Sequence, residues 1–198
     1  MAVPYAVAAR DLLRNSLLDA ARELLETRGW DDVKMADIAG AAGVSRQTLY
    51  NEFGSRDAIG QAFVIREGER FLIAVEQAIR ERLDDPGAAL TAAFDVFLTA
   101  AADDPLVRTI VFGEGGGMLA LVTTQGKPVV EFAAERLEGI IVEGWPQVSR
   151  RDAGLLAEAL VRLAISYAAL PSGPTTMTAE SVTRLLGPYL DQILTPKR

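Results

Sequence analysis

The tightest constraint on this chain is a helix break only a few residues long, Gly43-Val44-Ser45, set between two short segments of helical periodicity. Gly43 falls where a preceding helix must reverse through a backbone conformation that costs least without a Cβ, and Ser45 follows as a natural N-cap for the next helix. Upstream, Lys34 to Ala41 places Met35, Ile38 and Ala39 on one face. Downstream, Leu49 and Phe53 are four apart and share a buried face, so Gln47 and Asn51 project outward with Thr48 and Tyr50 beside them.

These outward side chains are of the types that read a DNA major groove. Gln and Asn bond adenine bidentately, Arg bonds guanine, and a Thr methyl contacts the thymine methyl. Arg46, Tyr50 and Arg56 suit phosphate oxygens. The candidate DNA-binding set is Arg14, Lys34, Ser45, Arg46, Gln47, Thr48, Tyr50, Asn51 and Arg56. A net charge of −7 argues against a nucleic-acid partner unless charge is unevenly distributed. Arg10, Arg14, Lys34, Arg46 and Arg56 all fall in the segment that faces DNA, so a local positive patch on an acidic body is expected.

The string AAGVSRQTLYNEFGSRD resembles the signature of TetR-type bacterial transcriptional regulators. The resemblance continues upstream through Leu17 to Leu25, Gly29-Trp30 and Ile38-Ala39, and so covers roughly the first third of the chain. Two positions depart from the family pattern: Lys34 stands where a Ser or Thr usually opens the second helix, and Glu52 stands where a His is usual. Lys34 can contact phosphate but cannot cap, and Glu52 is expected to point away from DNA.

In chain order, Asp11 to Thr27 reads as the first helix, closed by Gly29, with residues 1–9 a mobile lead-in. Trp30 is expected to pack beneath the second helix. Ser55 caps a long helix running to about Leu83, and Asp84-Asp85-Pro86-Gly87 breaks it. Further helices are expected over Ala88–Ala102, Leu106–Phe112, Met118–Thr124, Lys127–Gly144, Arg151–Leu170 and Glu180–Leu194. No stretch alternates at period two for long, so the fold class is all-α. The expected division is a three-helix helix-turn-helix domain over residues 1–56 and a larger helical ligand-binding and dimerisation domain over 57–198. The glycine-dense run Gly113 to Gly117 lacks the following Lys-Ser or Lys-Thr of a phosphate loop and is expected to be a flexible joint.

With no Cys and no His, thiolate and imidazole metal sites and catalysis by those groups are excluded, so neither an enzyme nor a cofactor is expected. No apolar run approaches the roughly 18 residues needed to span a bilayer, and no leader pattern opens the chain, which predicts a cytoplasmic protein without a membrane partner.

One reading helix contacts few base pairs, and helix-turn-helix proteins gain affinity by pairing two readers about one duplex turn apart. A homodimer on palindromic double-stranded operator DNA is therefore expected. Its interface is expected on the last two helices, through Leu156, Leu160, Leu163, Tyr167, Leu186 and Tyr189; in TetR-like regulators the corresponding helices form a four-helix bundle with their mates. The resemblance also implies a ligand pocket between reader and interface. Phe94, Phe97, Phe112, Met118 and Leu119 are its candidate lining, with Arg108, Thr123 or Gln125 to orient a polar end. YNEFGSR further resembles regulators of lipid or alkane metabolism, so the expected function is a repressor released by a small apolar effector such as a fatty-acid- or alkane-like molecule. A small helical enzyme with a hydrophobic pocket and a dimeric DNA-binding protein without effector are the competing classes; turnover assays and ligand-induced melting shifts separate them.

Overall fold

The computed structural model describes residues 5–104, 117–171 and 173–194. Among these the fold is all-helical. The elements are α1 (Tyr5–Leu25), a 3-10 turn (Trp30–Asp32), α2 (Met35–Ala41), α3 (Arg46–Phe53), α4 (Arg56–Arg80), α5 (Pro86–Asp103), α6 (Gly117–Val122), α7 (Lys127–Gly144), α8 (Arg150–Ala169) and α9 (Thr175–Leu194).

The short break between α2 and α3 has the expected chemistry. Gly43 adopts φ 69°, and the Val44 N–H reaches back to the Ala39 carbonyl at 2.9 Å, closing α2 with a glycine-terminated turn. Ser45 Oγ then accepts from the Thr48 N–H at 3.0 Å. At the start of α2 the Lys34 side chain caps nothing; instead the Asp37 carboxylate accepts from the Lys34 N–H at 3.0 Å.

Two helices start more than a turn earlier than the pattern predicts. α1 begins at Tyr5 rather than Asp11, because the Ala-rich run after Pro4 favours helix without any apolar stripe to announce it. α9 begins at Thr175 rather than Glu180, fixed by burial of Thr178 and Ala179 and by the Thr178 hydroxyl donating to the Pro174 carbonyl. α7 spans the expected residues. The expected helix Leu106–Phe112 and glycines 113, 115 and 116 lie outside the described residues, while Gly117 opens α6.

The buried side chains form two clusters. The smaller gathers Leu17, Ala21, Leu25, Trp30, Ile38, Leu49, Phe53, Ile59 and Phe63 from α1 to α4, and extends to Met118 and Leu121 of α6. Trp30 lies against α4 and α6, where the positions a Cβ would occupy on Gly60 and Gly117 meet its ring. The larger cluster joins Val75 and Ile79 of α4 to Leu90, Phe94, Leu137, Ile141, Leu156, Leu160, Val182 and Ile193. Helix α4 packs on α5 and α7, α5 on α9 and α8, and α7 on α8. Among the described residues, α4 contributes buried side chains to both clusters. No described helix is long and apolar enough to cross a membrane.

Candidate nucleic-acid interface and internal cavity

Helix α3 sits with Leu49 fully buried and Phe53 nearly so, which turns Arg46, Gln47, Tyr50 and Asn51 to solvent. Gln47 Nε2 donates to Asn51 Oδ1 at 2.8 Å, so the two amides brace each other one turn apart. Ser45 and Thr48 are tied together in the cap, their hydroxyls 2.8 Å apart. Lys34 is exposed at the start of α2. Arg46, Gln47, Tyr50, Asn51 and Lys34 thus offer free polar groups on the surface around α3.

Arg14 and Arg56 are placed differently from the sequence expectation. Arg56 donates to the backbone carbonyls of Val33 and Trp30, lies 4.5 Å over the Trp30 ring and pairs with Asp31 at 3.8 Å. Arg14 lies 4.5 Å over Phe53 and donates to Glu52 at 2.8 Å. Both guanidiniums hold the domain together internally.

Glu52 points back at α1, as its charge requires. Its carboxylate accepts from Arg14 and, at 2.9 Å, from Arg10, with only 8% of the side chain exposed. Burial disfavours its charge, but the hydrogen bonds from Arg14 and Arg10 outweigh burial and hold the carboxyl below the ordinary glutamate range. The same contact raises the Arg10 guanidinium. Glu52 therefore clasps the reading helix to α1 and masks two cations that flank it.

Behind the reader, residues mostly of the larger cluster line a cavity of about 210 Å³. Its wall includes Ile65, Phe71 and Leu72 of α4, Phe94 and Phe97 of α5, Phe132 and Leu137 of α7, Leu156 and Leu160 of α8, and Trp145. Phe71 and Phe97 meet edge-on at 6.0 Å, as do Phe94 and Tyr167 at 6.3 Å. Of the expected lining residues, Phe94 and Phe97 lie on this wall. Met118 does not: it belongs to the smaller core beside Leu121. Leu119 and Thr123 are also off the wall, and the Thr123 hydroxyl donates to the Leu119 carbonyl at 2.7 Å. Gln125 likewise offers its backbone carbonyl to Gln61 and stands exposed. Arg108 and Phe112 lie outside the described residues.

The expected interface residues divide into two groups. Leu156 and Leu160 are buried inside the subunit and line the cavity, so they are not available to a partner. Leu163, Tyr167, Leu186 and Tyr189 are half-buried against the same core. The apolar side chains that α8 and α9 present to solvent are Leu155, 62% exposed, Leu185, 71% exposed, and Met177.

Glu67 is the residue that sequence reasoning missed. It is buried, lines the cavity, and pairs with Arg22 of α1 at 2.6 Å. The signal was available, since Phe63, Glu67 and Phe71 recur every four residues on one face of α4. A carboxylate in that register needs a partner.

Known proteins agree with this architecture. Residues 17–63 match the family described as bacterial regulatory proteins, tetR family, and residues 85–188 match the C-terminal domain of bacterial tetracyclin repressors. The chain is 37% identical over 191 residues to the HTH-type transcriptional regulator AlkX of Mycobacterium tuberculosis, covering 96% of this chain and 90% of that protein. It is 29% identical to the transcriptional activator FasR of Mycolicibacterium smegmatis over 81% of this chain and 69% of FasR. The crystal structure of the TetR family repressor AlkX from a Dietzia strain, implicated in biodegradation of n-alkanes, superposes with a TM-score of 0.78 at 34% identity, covering 92% of this chain and 97% of that one. These proteins are regulators rather than enzymes, and TetR regulators bind operator DNA as homodimers. The chain belongs to the TetR family of bacterial transcriptional regulators.

Proposed function

We propose that this regulator is a repressor that binds a palindromic operator as a homodimer and releases it when an apolar chain, alkane-like or fatty-acid-like, fills the internal cavity. The observation that carries this reading is the cavity itself, whose wall is almost wholly apolar and includes the helix that continues into the reader. Similarity to the Dietzia AlkX, implicated in n-alkane biodegradation, supports the choice of ligand class.

In this reading residues 1–56 hold the DNA and residues 57–198 hold the effector and the partner. Gln47, Thr48 and Asn51 face base edges, while Lys34, Ser45, Arg46 and Tyr50 hold phosphates. Arg14 and Arg56 support the reader from within. The partner subunit packs on the face of α8 and α9 that carries Leu155, Leu185 and Met177.

Fluorescence anisotropy on DNA from the region upstream of its own coding sequence tests the reading. Sequence-selective binding that weakens when decane or decanoic acid is added is expected. Selective binding indifferent to any such chain would leave a DNA-binding dimer without this effector.

A further inference from the structure

Among the described residues of the cavity wall every side chain but one is apolar, the exception being Glu67. A lone carboxylate on such a wall needs a reason, because an uncompensated charge in apolar surroundings is costly. Its cation partners sit on α1 and α4: Glu67 Oε2 accepts from Arg22 at 2.6 Å and from Arg70 at 3.3 Å. The other oxygen is poorly served. Oε1 accepts only from Arg66 Nη2, at 3.5 Å, while Nη1 of the same guanidinium donates at 2.8 Å to Asp19. A carboxylate has about four acceptor positions and three arginine contacts are made here, the one to Oε1 long, so Glu67, which lines the cavity, keeps acceptor capacity.

The chemistry that fits is an apolar chain ending in one hydrogen-bond donor. We infer that Glu67 receives the terminal hydroxyl of a chain-like effector, so that the cavity distinguishes an alkanol, or a carboxylic acid in its neutral form, from a bare hydrocarbon or a carboxylate. This rests on the cavity being the effector site and adds which end of the ligand is read. An O–H donating to an ionised oxygen is among the stronger neutral-to-charged contacts, and no water competes with it once the chain fills the space. A carboxylate anion at the same place meets like charge and has no proton to give.

The same residue connects ligand to reader. Arg22 lies on α1, whose Leu18, Ala21 and Leu25 belong to the reader core. A hydroxyl on Glu67 therefore acts on the group that holds α1 to α4.

Calorimetric titration of the full-length protein with 1-decanol and its isomer methyl nonyl ether isolates the donor, since the two have the same atoms and both carry an oxygen acceptor. The alcohol is expected to bind at least about tenfold tighter than the ether, equivalent to ~1.4 kcal/mol. Glu67→Gln, which keeps a neutral acceptor, narrows that gap, and Glu67→Met closes it. Decanoate at about pH 8 binds more weakly than 1-decanol and gains as pH falls toward its own pKa. Ether and alcohol binding equally to the wild-type protein, or decanoate at pH 8 binding tighter than the alcohol, overturns the role of Glu67, and both results are read without any variant. If none of these chains binds, the effector reading of the cavity falls and this one falls with it; if all bind alike, only the assignment of Glu67 does.

Discussion

Glu52→Gln is expected to weaken the fold and tighten DNA binding at once. The glutamine keeps the shape and one acceptor but no charge to offer Arg10 and Arg14. The Arg14 contact, at 2.8 Å on a carboxylate 8% exposed, is the part that contributes to stability. Discounted for the partly exposed arginine, its loss costs about 1–1.5 kcal/mol, which for a chain of this size lowers Tm by about 2–6 °C. Arg10 is 63% exposed and is assigned no share. On DNA the sign reverses. The substitution removes one negative charge from the reading helix and unmasks two cations beside it. If each then neutralises one phosphate, the slope of log K against log salt steepens by about 2 per subunit.

Melting curves and anisotropy titrations of a labelled operator across a salt series measure the two halves separately. A variant whose melting point is unchanged or raised, or whose salt slope is unchanged or shallower, refutes the clasp. The pH dependence gives an internal check. Because the folded state holds the Glu52 carboxyl below its ordinary value of 4.5, its contribution is complete above that value and is lost as pH falls through the lower folded value. The difference in melting point between wild type and variant is therefore expected at neutral pH and shrinks in acid below about 4.5.

Three further outcomes are expected. Replacing Leu155 and Leu185 together by Glu gives a folded monomer in sedimentation, because both are exposed within the subunit, whereas Leu160→Glu buries a carboxylate and lowers Tm before assembly is reached. Gly60→Ala and Gly68→Ala, eight residues apart on α4, move Tm in opposite directions. A Cβ on Gly60 meets Leu121 at 2.5 Å and the Trp30 ring at 2.8 Å, costing about 1–2 kcal/mol net, while Gly68 has nothing within 4 Å and gains about 0.5–1 kcal/mol of helix preference. Gln47→Ala costs about 1–3 kcal/mol on the cognate operator and relaxes one base position; an unchanged preference across a randomised operator library removes Gln47 from base reading.

The reader was legible because its signals are local. Gly43, Ser45 and the four-residue spacing of Leu49 and Phe53 each act within one turn of chain, and the structure realises all three. The partners of Arg14 and Arg56 were not legible, since they are set by packing between segments 38 and 23 residues apart. Adjacent leucines on α8 show the same limit. Leu155 and Leu156 both fit a broad apolar stripe, and only the position of α5 and α7 decides that Leu156 goes inward while Leu155 stays out. A cavity is harder still. It is space left unfilled where Phe71, Phe97, Phe132 and Trp145 meet from separate elements, and no periodicity along one helix encodes an unfilled volume.

Helix α4 is the mechanical consequence of having two cores. It contributes Ile59 and Phe63 to one and Val75 and Ile79 to the other, and Ile65, Gly68 and Leu72 of the cavity wall fall between them. At 1.5 Å per residue the stretch from Ile59 to Val75 is about 24 Å long. A tilt of about 5° at the body end then moves the reader end by about 2 Å, enough to spoil hydrogen bonds that need donor and acceptor near 3 Å. Filling the cavity pushes on the middle of this lever, so what matters is which of its two anchorages yields. The body anchorage is broad, with α5 and α7 both packed along α4. At the reader end α1 is tied to α4 by Arg22 on Glu67 and by Arg66 on Asp19, and Glu67 is the member of these pairs that lines the cavity. Displacement should accordingly concentrate where α1 meets α4, and hydrogen exchange with and without a bound chain would show protection falling in residues 15–22 and 63–70 while α7 and α8 hold. Loss of protection confined to α7 and α8 would mean that the body, not the reader joint, absorbs the ligand.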